Sequence, residues 1–123
     1  MTSEWWGWYF NDYLRSQYWR EFSRQTRVER SFCEYEIDDA VCGVTQNDLL
    51  SWGGQQVVRK RNGQWVEEWS TSLEVHHWFY EHLQDYEFGR EEFYPEATSV
   101  LCPRCHCHAT HGLWPEQIMA DMG

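Results

Sequence analysis

The stretch VLCPRCHCHATH, residues 100–111, constrains this chain more than any other. Cys102-Pro-Arg-Cys105 is a C-x2-C knuckle. That spacing lets one tight turn offer two thiolates to a tetrahedral ion at about 2.3 Å. One knuckle is half a site. The chain has five cysteines, an odd number that argues against a closed disulfide framework. Clustered Cys and His in a reducing compartment point to metal instead. Cys33 and Cys42 are the remaining pair, with a gap longer than a usual knuckle allows. His106, His108 and His111 offer an alternative to an upstream cysteine, with Cys33 and Cys42 then ordinary buried thiols. The expectation is a structural zinc on Cys33, Cys42, Cys102 and Cys105, leaving Cys107 spare.

At 123 residues the chain is expected to form a single domain, 1–123, around one small core. No apolar window approaches a membrane span, and MTSEWWGWYF has neither the basic region nor the cleavage site of a signal peptide. The expectation is a cytoplasmic protein, of a bacterial host or phage-infected cell, with no membrane partner. Nine tryptophans suit a small core, because each large ring buries much apolar area.

Apolar spacing predicts a helix over 9–30, capped by Asn11 or Asp12. Residues 32–50 read as an acidic loop. Asn62-Gly63 predicts a type I′ hairpin over 55–70, with Arg59 and Arg61 facing Glu67 and Glu68. SLEVHH and TSVLC read as strands, 78–96 as a long aromatic and acidic loop, and RCHCHATH as a helix closed by Gly112. The fold class expected is α+β.

Net charge is −10, and Lys60 is the single lysine. Proteins that live on DNA carry basic faces, because phosphate neutralisation supplies most non-specific affinity. Here residues 15–30 hold five arginines, whereas the 78–96 loop holds six acids. The candidate phosphate contacts are Arg20, Arg24 and Arg27, with Arg59, Lys60 and Arg61 on the hairpin.

His76 and His77 close LEVHH. Neighbouring strand residues point to opposite faces, so the two share a site only where the strand ends or bends. Their company is ordered: YLRSQYW at 13–19, LEVHHWFY at 73–80, then VLCPRCH at 100–106. This order resembles the HNH-type endonuclease domains of the ββα-metal class, especially phage and bacterial forms. The resemblance touches residues 13–111 and makes 73–111 the ββα-metal motif, with the hairpin as an insertion. It implies that His76 and His106 ligate a catalytic Mg or Mn ion. It makes His77 the general base that activates water, and gives Cys102 and Cys105 to the structural zinc. The family's upstream C-x2-C-G is stretched here to CEYEIDDAVCG, and Ala97 stands where relatives place an orienting Asn or Asp.

Two functions follow as expectations. One is a metal-dependent nuclease hydrolysing DNA phosphodiester bonds. The other is a catalytically inactive HNH scaffold whose acidic face binds a basic protein, such as a phage-encoded inhibitor of a host nuclease of anti-CRISPR or anti-restriction type.

Overall fold

The computed structural model describes residues 1–122. Helices and short antiparallel strands alternate, which makes the chain α+β. The predicted helix over 9–30 is broken in two. Helix α1 spans Ser3–Trp8 and is capped by Thr2, whose Oγ1 accepts from Trp5 N at 3.1 Å. It widens into a π-turn over Tyr9–Tyr13, closed by Leu14 N donating to Tyr9 O. The wider turn lets Tyr9 and Tyr13 both face inward, with rings 5.9 Å apart. Helix α2, Gln17–Glu29, starts afresh because Ser16 Oγ accepts from Trp19 N at 3.1 Å. Asn11 and Asp12 are exposed in the π-turn and cap nothing.

The segment read as a loop over 32–50 holds a small hairpin, β1 (Glu36–Ile37) and β2 (Ala40–Val41), and helix α3, Gln46–Trp52. The signal for α3 was in the sequence. Thr45 and Asp48 form a reciprocal capping box, and Gly53 ends the helix at φ +73°.

Strands β3 (Gln55–Arg61) and β4 (Gln64–Ser70) form the predicted Asn-Gly hairpin, in register from Gln55↔Ser70 to Arg61↔Gln64. Asn62 and Gly63 both take positive φ, as the turn requires. Arg59 and Arg61 both pair with Glu68, whereas Glu67 meets Gln56.

Strand β5 (Glu74–His77) pairs antiparallel with β6 (Thr98–Leu101), and helix α4, Pro103–His111, follows directly. The connection from β5 to β6 holds only short 3-10 turns. Helix α5, Pro115–Met122, packs on β3 and α4. Gly112 closes α4 in the left-handed conformation, as predicted. No helix among the described residues is long and apolar enough to cross a membrane.

Three packed groups hold these elements together. Leu49, Leu73, Val100 and Leu101 surround three of the cysteines. Trp5, Tyr9, Tyr13, Trp19 and Leu83 form an aromatic layer under β5. Val58, Cys107 and Ile118 seat the hairpin on α4 and α5.

Candidate metal centre and histidine cleft

The sulfurs of Cys33, Cys42, Cys102 and Cys105 lie within 4.8 Å of one another. A zinc with four bonds of about 2.3 Å sets its sulfurs about 3.8 Å apart, so the group fits a tetrahedral ion. The long gap between Cys33 and Cys42 is spanned by the β1–β2 hairpin. Backbone pairing continues beyond that hairpin, with Cys42 N donating to Tyr35 O at 2.8 Å and Gly43 N to Cys33 O at 2.9 Å. The hairpin is thus a stalk whose base holds the two thiols as close as a knuckle would. Cys102 follows β6 as the residue that caps α4, and Cys105 sits in the first turn of that helix.

The thiols perturb one another strongly. Hydrogen bonds from Cys105 and Cys33 lower Cys102, and Cys33, bonded to that same sulfur, is raised. Four sulfurs gathered this closely are a group that a divalent ion would convert to four metal bonds. The alternative ligands are committed elsewhere. His108 Nδ1 lies 2.6 Å from the Tyr35 hydroxyl and its ring stacks on Trp114. His111 packs against Trp65, and Cys107 belongs to the hairpin seat.

His76 and His106 face each other beside this cluster, ring centroids 5.0 Å apart. They line a cleft of about 280 Å³ with Phe10, Leu14, Tyr80 and Thr110. Burial, aided by His106 and His77, pushes His76 down to about 4, so its imidazole is neutral at pH 7 and able to ligate. His106 Nδ1 lies 2.9 Å from Glu74 Oε1, and Arg59 holds the other oxygen of that carboxylate. Glu74 was missed in the sequence. It stands two residues before His76, hence on the same strand face, and that spacing was the available signal.

His77 makes its hydrogen bonds on the other face of β5, although its ring also borders the cleft. Its side chain is 1% exposed. Nδ1 lies 2.7 Å from the Tyr9 hydroxyl, Nε2 lies 3.1 Å from Glu91 Oε1, and the ring stacks on Trp19 at 4.6 Å. Neither nitrogen is free to take a proton from water. Glu91 is the buried member of the loop's acids and the other five face solvent. Burial pushes Glu91 up, but hydrogen bonds from His77, Tyr13 and Tyr18 outweigh it and hold the carboxyl at about 2.

The candidate phosphate contacts divide. Arg20 and Arg24 are exposed on α2. Arg27 is turned inward, with Nη1 donating to Leu73 O at 3.4 Å and Nε to Ser23 O at 3.1 Å. Arg59 is held by Glu68 and Glu74, and Arg61 by Glu68. Lys60 lies over the Trp65 ring at 5.4 Å.

Comparison with protein families, curated proteins and solved structures finds no match to this chain.

Proposed function

We propose that the chain is a zinc-stabilised HNH-like domain of the ββα-metal type that cleaves DNA. The zinc sits on the four cysteines, and a divalent ion is held between His76 and His106. The observation that carries this reading is the facing pair itself, one histidine from β5 and one from the first turn of α4. The cysteine cluster pins the β6–α4 corner that sets His106, and the β5–β6–α4 order agrees with the ββα plan. Two imidazole donors favour Mn²⁺ over Mg²⁺. When bound, the ion would stabilise the leaving oxygen and the charge on phosphorus. Glu74 orients His106 through Nδ1, leaving Nε2 to the ion. His77 would serve as general base only after its Nε2 released Glu91.

That sealed histidine favours a second reading, a catalytically inactive HNH scaffold that binds a basic protein through its acidic surface. A phage-encoded inhibitor of a host nuclease has this character, because an acidic face can occupy a cleft built for DNA. Plasmid nicking with added Mg²⁺ or Mn²⁺ separates the two. Nicking that is lost in both His76→Ala and His106→Ala supports the nuclease. Folded, zinc-loaded protein that leaves the plasmid intact supports the binding protein, and capture of a basic partner then follows.

A further inference from the structure

We propose that His77, His82 and Glu91 form a second, wholly buried metal site for a divalent ion of the zinc or cobalt kind. Their side chains are 1%, 0% and 0% exposed. His77 Nε2 lies 3.1 Å from Glu91 Oε1, and His82 Nε2 lies 3.6 Å from the same oxygen. One donor atom from each of the three falls within 4.8 Å of the others. A tetrahedral ion with bonds of about 2.0–2.1 Å sets its donors about 3.3 Å apart, between the two measured distances.

His82 gives an independent reason. Both of its ring nitrogens are buried and have no hydrogen-bond partner. Buried polar atoms are almost always paired, and a neutral imidazole has a donor and an acceptor to satisfy. Here one nitrogen is aimed at a carboxylate but stands just beyond hydrogen-bond distance of it. An ion between the two would give that nitrogen its partner.

The surroundings suit an ion as well. The Tyr9 hydroxyl lies 2.7 Å from His77 Nδ1. With the proton on Nδ1 and donated to Tyr9, Nε2 presents its lone pair to the centre, the usual arrangement behind a metal-ligating histidine. Tyr18 donates to Glu91 Oε2 at 2.9 Å, and the Tyr13 hydroxyl lies against Oε1. Two imidazoles and a carboxylate select zinc-like ions over Mg²⁺ or Ca²⁺, which need oxygen shells.

The ion would be structural. His77 ends β5, His82 lies in the first turn after it, and Glu91 sits midway along the irregular connection to β6. The tyrosines whose hydroxyls meet His77 and Glu91 come from the π-turn and α2. An ion here would therefore fasten the least regular segment to the N-terminal aromatic layer. This inference is independent of the His76–His106 reading, and it takes His77 out of proton transfer.

Cobalt titration of the reduced, metal-stripped full chain tests it, carried out in a His76→Ala background so that the open cleft contributes nothing. Cobalt on the cysteines gives thiolate charge-transfer absorption, whereas cobalt on nitrogen and oxygen gives d–d bands alone. The expected result is one tightly held equivalent with d–d bands and no charge transfer, lost on adding His82→Gln and retained on adding Cys105→Ser. A His76→Ala chain in which every bound cobalt is thiolate-ligated overturns the site, whatever the His82 variant does.

Discussion

The Tyr9 hydroxyl and His77 Nδ1 lie 2.7 Å apart, joining residues 68 positions distant in the chain. Tyr9 also stacks on Trp5 and on Tyr13, so this contact ties β5 to the whole N-terminal aromatic layer. Tyr9→Phe keeps the ring and removes the hydroxyl. It leaves a buried imidazole nitrogen unpaired, at a cost of about 1–3 kcal/mol. Urea unfolding with unchanged slope and a lowered midpoint is the expected outcome, with zinc on the cysteines unaltered. A midpoint equal to wild type would show that the contact contributes nothing.

The cysteine cluster makes a sharper prediction, because five cysteines share one chain and only four share a site. Cys42→Ser or Cys105→Ser removes one of four sulfur ligands and should abolish retention of the cysteine-bound zinc after dialysis. Unfolding in those variants should occur at much lower temperature, since structural zinc contributes its binding energy to folding. Cys107→Ala should retain zinc in full, because that thiol faces Val58 O and Leu113 O instead. Metal analysis of the three proteins decides the matter.

How much of this was legible in the sequence depends on whether the signal was local. The Asn-Gly hairpin, the knuckle and the Gly112 cap were all readable, because each is dictated by a few adjacent residues. The break near Leu14 was not, since it depends on Tyr9 and Tyr13 both reaching a core made by distant residues. Helix α3 was legible in Thr45 and Asp48 but lay hidden among acids that suggested a loop. At the site, the cysteine quartet followed from residue type, and alternation along β5 already implied that His76 and His77 must part. Nothing local marked His82 or Glu91, whose proximity to His77 arises only when the irregular connection folds back under β5.

Glu68 holds both hairpin arginines, and its carboxyl lies below the ordinary value, chiefly through the hydrogen bond from Arg61. A depressed carboxyl contributes stability that is fully present above its unfolded value, ordinarily 4.5, and is lost as pH falls through the folded value. Glu68→Gln should therefore lower the melting temperature at pH 7, with the difference from wild type vanishing as pH falls below the folded value of the carboxyl. The same change frees Arg61, while Arg59 stays held by Glu74. If DNA is the substrate, one extra phosphate contact should steepen the salt dependence of binding by about 1 in log–log slope. An unchanged slope would place the hairpin away from the DNA.

Glu74 offers the most direct test of the cleft. It stands on the same face of β5 as His76, and its carboxylate meets His106 Nδ1 at 2.9 Å and Arg59 through its second oxygen. It touches neither the cysteines nor the space between the two histidines, so it acts through His106 as a positioning residue. Partners of this kind typically set metal affinity within about 10–100-fold. Glu74→Gln keeps the size and one acceptor oxygen but removes the charge that favours the Nδ1–H tautomer. On the nuclease reading proposed above, the Mn²⁺ concentration needed for half-maximal nicking should rise by about 10–100-fold, with zinc on the cysteines unchanged and the maximal rate at saturating Mn²⁺ largely retained. Glu74→Ala should be worse than Glu74→Gln, because it removes the acceptor of His106 Nδ1 altogether and leaves Arg59 to Glu68 alone. An unshifted Mn²⁺ requirement in both variants would show that His106 is not a ligand of the ion that matters.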